Sequence, residues 1–234
     1  MSPSAFNQPH ETRPDFMVQL GLLPPYTPED VKQAYLIKAK QVHPDHGGTA
    51  AEFRALQEAF EKAQQYTEFR CDRRGWIAAK MQGYLSVRAV MERLEAFGAE
   101  VTTNAIDWLQ KSFGDFSQLT ETITAVRLVD SPAADAMIRY MVKERPALGE
   151  LTRLELPGCQ VSDKAVLQLE AFQQLRHLDL TGTPVTKDAL WIVEGILGLE
   201  SLELQGTRVG WWMRRKVRAV LRKRREARPV TPFG

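Results

Sequence analysis

The chain has 234 residues, 44% hydrophobic and 26% charged, a balance that fits one or two globular domains and excludes a wholly disordered chain. Its two cysteines, Cys71 and Cys159, lie far apart without CxxC or CxxH spacing, so they signal neither a disulfide framework nor a zinc site, and a reducing, cytoplasmic compartment is expected. The net charge of +2 hides an asymmetry: residues 211–228 hold nine basic residues against Glu226 alone, a net of +8, which leaves −6 for the remainder.

Residues 1–14 are polar, are broken by Pro3, Pro9 and Pro14, and lack a basic head followed by an apolar core. They read as a flexible arm and not as a secretory signal. No apolar stretch approaches the roughly 18 residues of a membrane span. At Thr27-Pro28-Glu29-Asp30 a helix start is expected, with Thr27 as cap and acids in the first turn where the helix dipole favours them. Val31, Ala34, Tyr35, Ala39 and Val42 share one face, with Lys32 and Lys40 outside it. Lys38 falls within the apolar sector, where its stem can lie along the helix while its ammonium reaches water. His43-Pro44-Asp45 stops the helix, because a residue before proline is driven out of the helical region. His46-Gly47-Gly48 makes a turn, and Thr49 with Glu52 forms a capping box for a second helix whose Phe53, Leu56, Phe60 and Ala63 share a face. The expected product is an antiparallel hairpin with a His-Pro-Asp tip.

Residues 71–118 read as a helical connector and N-terminal cap, with Trp76, Met81, Leu85, Val90, Leu94 and Phe97 as apolar posts and Gly83, Gly98 and Gly114 as weak points. Beyond them the chain repeats itself. Leu151-Thr-Arg-Leu154-Glu-Leu156, Leu175-Arg-His-Leu178-Asp-Leu180 and Leu199-Glu-Ser-Leu202-Glu-Leu204 recur every 24 residues, and Ile123-Thr-Ala-Val126-Arg-Leu128 precedes them by 28. Each LxL alternation predicts a short strand, each following Gly a turn, and Ser162 and Thr186 predict caps for helices over 163–172 and 187–197. Alternation turns the leucines inward and leaves Arg127, Arg153, Glu155, His177, Asp179, Thr181, Ser201, Glu203 and Gln205 on the open face. Cys159 stands where the sister units carry Thr183 and Thr207, so it reads as a buried turn residue.

Over residues 15–66, Leu20-Gly21-Leu22, Tyr35 on a basic helix, His43-Pro44-Asp45, the Gly-Gly turn and Phe53 with Ala59-Phe60 together resemble the J-domain of DnaJ-type co-chaperones. The resemblance implies that His43, Pro44, Asp45, Lys32, Tyr35 and Lys40 dock on a DnaK-type 70-kDa heat-shock chaperone and accelerate its ATP hydrolysis. Leu36 and Ile37 depart from the family, which usually carries basic residues there, so the positive face is thinner. No glycine-phenylalanine-rich linker and no zinc-binding cysteine quartet follows, which sets the chain apart from the full DnaJ architecture. The 24-residue units are similar to leucine-rich repeats, whose periods run from about 20 to 29 residues.

The expected fold is thus multidomain: an all-α J-domain hairpin (15–70), the connector, an α/β leucine-rich-repeat solenoid with helical caps (119–210), a basic capping helix (211–228) and a tail (229–234). A client or partner protein is expected on the repeat face. An alternative makes the hairpin a non-stimulating scaffold and the repeats a protein-binding adaptor. For residues 211–228 two roles stand side by side: a cap whose Met213, Val217, Val220 and Leu221 seal the last repeat, with Trp211 or Trp212 closing its core, and a binder of nucleic acid or anionic membrane through Arg214, Arg215, Lys216, Arg218, Arg222, Lys223, Arg224 and Arg225. No Ser/His/Asp or Cys/His grouping can be assembled, so no enzyme activity, cofactor or metal is expected. His43 and His46 without a third ligand do not make a zinc site.

Overall fold

The computed structural model describes residues 13–43 and 48–227. Most of the expected arm, Pro44 and Asp45 of the tripeptide, His46 and Gly47 of the turn, and Arg228 with the tail lie outside the described residues. The chain is α-rich and divides into two compact units, one formed by residues up to Met81 together with 106–119, the other by 82–105 and residues from Thr120 onward.

In the first unit α1 (Asp15–Leu20) ends at Gly21, whose φ of 76° is the left-handed conformation that lets its N–H turn back to Val18 O. Helix α2 (Pro28–Val42) starts at a reciprocal box: Thr27 Oγ1 accepts from Asp30 N at 3.1 Å while Asp30 Oδ2 accepts from Thr27 N at 3.2 Å. Thr49 and Glu52 repeat the device at the start of α3 (Ala50–Cys71). These two hydrogen bonds from Thr49, backbone and side chain, hold the Glu52 carboxyl below its ordinary pKa.

Aromatic pairs give the direction of the two helices: His43 meets Phe53, Tyr35 stacks on Phe60, and Tyr26 lies edge-on to Tyr66. Early residues of one thus face late residues of the other, which is the antiparallel arrangement. The core gathers around Tyr66, edge-on to Phe16 at 5.7 Å and to Trp108 at 5.4 Å.

Trp108 marks a departure from the sequence expectation for residues 71–118. Helix α4 (Arg73–Ala96) is followed by a strand, β1 (Glu100–Asn104), and then by α5 (Asp107–Phe113), whose Trp108 and Leu109 are buried with the α1–α3 core. The apolar posts of α4 divide likewise. Trp76 packs on Phe69, and Val87, Val90 and Leu94 join the second core, whereas Met81 and Leu85 are 39% and 60% exposed. The helix passes from one unit to the other at that point, so its middle turns serve neither core. Gly83 is accommodated within the helix, and Gly98 follows its end with φ 88°.

In the second unit the chain runs β2 (Thr122–Arg127), α6 (Ala134–Lys143), β3 (Arg153–Glu155), α7 (Asp163–Gln168), β4 (His177–Asp179), α8 (Ile192–Gly195), β5 (Ser201–Glu203) and α9 (Trp211–Ala227). The strands form one sheet in the order β1-β2-β3-β4-β5, with the first pair antiparallel and the rest parallel. Val126, Leu154, Leu178 and Leu202 stand in register across it, so the spacings of 28 and 24 residues are the pitch of the stack. Val126, Leu154 and Leu178 are at most 1% exposed, whereas Leu202, on the edge strand, is partly buried.

Two features hold this register beyond the strands. Gly158, Gly182 and Gly206 share a φ of 70–74°, and Asp130 takes the same place in the repeat that begins at Ile123, at φ 48°, a conformation that short polar side chains tolerate better than others. Twice, an acid of one repeat also holds the helix cap of the next repeat. Asp135 accepts from Ser162 N and Oγ at 2.8 and 2.7 Å, and Asp163 accepts from Thr186 N and Oγ1 at 2.7 and 2.6 Å.

The expected helices after these caps differ from one another. The first is α7 continued by a 3₁₀ turn over Leu169–Ala171, and the second opens as 3₁₀ at Lys187–Trp191 before α8. Cys159 is fully buried, its thiol donating to Leu128 O at 3.2 Å, and burial pushes its pKa up. The thiol is therefore a poor nucleophile.

Leu178→Ala should cost about 2–5 kcal/mol by lost burial and a cavity. Asp179→Ala should cost about 0.5–1.5 kcal/mol, because its Oδ1 accepts from Thr181 N at 2.8 Å and that donor would lose its partner. Urea unfolding of both variants measures the order, and an inverted order would mean that the faces are exchanged. In the first unit, Trp108→Ala should cost about 3–5 kcal/mol. Trp108→Phe should cost less, since the buried indole Nε1 has no hydrogen-bond partner among the described residues and phenylalanine removes only that donor and part of the ring. Thermal unfolding followed by circular dichroism compares the two.

Candidate functional site

At the hairpin, α2 ends on His43, whose φ of −64° and ψ of 136° are the extended geometry that the following Pro44 imposes. Its ring lies edge-on to Phe53 at 5.5 Å, and its carbonyl accepts from Gly48 N at 3.1 Å, which closes the turn from both sides. Lys32 and Lys40 are exposed on α2. Tyr35, also among the expected docking residues, lies on the apolar face that its spacing predicts: it is half-buried against Phe60 at 4.2 Å, and its ring joins the two helices. Lys38 reaches across to α1, where its ammonium donates to Gln19 O. Between the two free lysines Leu36 and Ile37 are 50% and 61% exposed. The outward face of α2 is therefore an apolar pair flanked by cations.

The open face of the sheet carries two registered rows. Arg153, His177 and Ser201 form one, and Arg127, Glu155, Asp179 and Glu203 form the other. Most of these groups satisfy one another. Arg127 lies between Glu100 at 3.8 Å and Glu155 at 3.5 Å, Arg153 pairs with Glu155 at 3.3 Å, and Ser201 Oγ donates to Glu203 at 3.2 Å. Glu100 was out of reach of sequence reasoning, because its partnership requires β1 to be recognised as a strand. Its signal was the β-branched run Val101-Thr102-Thr103 after Gly98. His177 sits lower in the face. Burial, and after it the charge of Arg153, hold its pKa below the ordinary value; Arg176 and Arg225 add to this and Glu200 opposes it. The shallow groove beside the helix caps is lined by Asp135, Ser162, Asp163 and Thr186, whose polar atoms are engaged in the cap bonds described above.

Helix α9 departs from expectation at its aromatic end. Trp211 and Trp212 do not close the core; they are 56% and 68% exposed and stack on each other at 4.5 Å. The core is closed by Val209, Val217 and Leu221, with Met213 and Val220 at its margin, each 38% exposed. Helical spacing explains the exchange: Val217 and Leu221 lie one turn apart, while the tryptophans at the first two positions point away from that stripe. Arg224 is likewise engaged, donating to Val193 O at 2.7 Å and Ile196 O at 3.2 Å, carbonyls at the end of α8. It anchors the helix and is withdrawn from the basic surface. Arg214 is half-buried, and Arg215, Lys216, Arg218, Arg222, Lys223 and Arg225 are exposed.

No family model, curated protein or solved structure matches the chain. Among the described residues no helix is long and apolar enough to cross a membrane.

The lowered pKa of His177 has a defined effect on stability. As pH falls below the ordinary histidine value of about 6.5, the unfolded chain takes up the proton before the folded one does. The contribution of His177 is therefore intact above that value and lost as pH falls toward the folded pKa. His177→Gln should flatten the fall in Tm on acidification from about pH 6.5 to about pH 5, and equal slopes for the two proteins would assign that fall to other groups.

Proposed function

We propose that this protein is a J-domain co-chaperone: the α2–α3 hairpin docks on a DnaK-type 70-kDa heat-shock chaperone in the cytoplasm and stimulates its ATP hydrolysis, while the stacked leucine-rich repeats hold a client or partner protein. The observation that carries this reading is His43 closing α2 at the tip of an antiparallel hairpin, directly before Pro44-Asp45, with Lys32 and Lys40 free on the same helix. The Thr49–Glu52 capping box supports it further, because it fixes where α3 starts and so, with α2 ending at His43, the length of the loop between them. The chemistry would be the partner's: the sequence carries no Gly-rich phosphate-binding loop of its own.

In this reading Leu36 and Ile37 replace part of an ionic docking face by apolar contact. Docking then rests less on Coulomb attraction, which salt screens, and more on buried area.

The test is a steady-state ATPase assay of the host's DnaK-type chaperone with and without the full chain. Wild type should raise turnover, and His43→Gln should abolish the increase while leaving the helical circular dichroism unchanged. Equal stimulation by both proteins, or none by wild type at saturating concentration, would overturn the co-chaperone reading.

A further inference from the structure

We propose that the outward face of α9 binds single-stranded RNA, with the Trp211–Trp212 pair as a stacking platform and the exposed cations of the helix following the phosphates. The inference is independent of the co-chaperone reading. It starts from the way α9 is held. Val217 and Leu221 are buried in the repeat core, and Arg224 is bonded to the carbonyls of Val193 and Ile196. The helix is thus fixed as a rigid element, and what remains on its outer side is set by spacing alone.

That outer side is almost wholly cationic. Arg215, Lys216, Arg218, Arg222, Lys223 and Arg225 are exposed along about 15 Å of helix. Glu226 is the one acid on α9, and it pairs with Arg222 at 3.7 Å. Like charges packed this closely repel one another, and only an anionic partner or salt relieves the repulsion. Arginine supplies four of the six, and its planar fork suits phosphate oxygens.

The tryptophans decide which anion. Two indoles more than half exposed, stacked at 4.5 Å with an interplanar angle of 28°, offer flat apolar faces beside the cations. An acidic membrane would use the charges, but an interfacial helix must sink its apolar stripe among the acyl chains, and here that stripe is already buried in the protein. A nucleic-acid duplex would use the charges too, but its bases are stacked within it and cannot reach an indole. Unpaired RNA presents both phosphates and free base faces, and base-on-aromatic stacking is the sequence-tolerant contact such strands make.

The test uses fluorescence anisotropy of the full chain with a labelled 20-nucleotide oligouridine. If about four phosphates are neutralised, log K should fall with log salt at a slope of about −3, roughly a 50-fold loss between 50 and 200 mM. Replacing Arg215, Lys216, Arg218 and Lys223 by Gln should weaken binding at least tenfold with Tm unchanged. Trp211→Ala with Trp212→Ala should weaken it several-fold with the salt slope kept, since stacking releases no counterions.

A blunt-ended RNA duplex of the same length should bind more weakly than the single strand. Absence of binding at 50 mM salt, wild-type affinity in the charge variant, or wild-type affinity in the folded tryptophan variant would each overturn the proposal. So would equal affinity for the duplex, or binding to phosphatidylserine vesicles that oligouridine does not compete away.

Discussion

A three-residue strand carrying one inward leucine cannot bury that leucine by itself; it must be covered by copies of itself on either side. Everything in the second unit follows from this requirement. The strands pair in register so that Val126, Leu154, Leu178 and Leu202 form one row, and the row is maintained outside the strands by the repeated left-handed turn and by the aspartate of one unit holding the cap of the next. The aspartate contact is informative because it couples neighbours through two hydrogen bonds at once, one to a backbone N–H that the helix start would otherwise leave without a partner. A unit displaced along its strand would break both bonds as well as misplacing its leucine.

Such a stack has two edges, and the protein closes them by different means. At one edge β1 pairs antiparallel with β2, and Glu100 meets Arg127 across the outer face. At the other a helix covers the last repeat through Val217 and Leu221. A covering helix needs only a narrow apolar stripe, so the remainder of α9 was left to charge without cost to its capping role. The division of labour along this helix, with apolar contacts inward, Arg224 as a tie to the neighbouring carbonyls and the other basic residues outward, lets stability and surface chemistry vary separately.

The legible parts of the structure were those governed by local pattern. Capping residues Thr27, Thr49, Ser162 and Thr186 are found at helix starts, and the inward row of the repeats follows from alternation alone. Residue identity failed where a partner distant in sequence decides the outcome. Trp108 reads as one more apolar residue in a helical stretch, yet it completes the core around Tyr66, some forty positions earlier, and the short strand before it belongs to the other unit. Arg224 reads as one more cation of a basic surface, whereas two carbonyls at the end of α8 claim it. Tryptophans 211 and 212 failed in the opposite sense: large aromatics are taken for core, but the stripe that the last repeat can accept lies a turn further along.

The same reasoning bears on the first unit. Its helices are pinned by two capping boxes and an aromatic cluster, so the outward groups of α2 are not needed to hold the fold. The side chains of Lys32, Leu36, Ile37 and Lys40 make no hydrogen bond or ion pair among the described residues, and the two apolar members keep half or more of their surface in water. Leaving both exposed forgoes burial of roughly 25 cal/mol for each Å² that could have been covered. A polar pair at these positions would fold equally well, so the hairpin itself does not require a leucine and an isoleucine there, and their side chains are free to vary with whatever the outward face of α2 does.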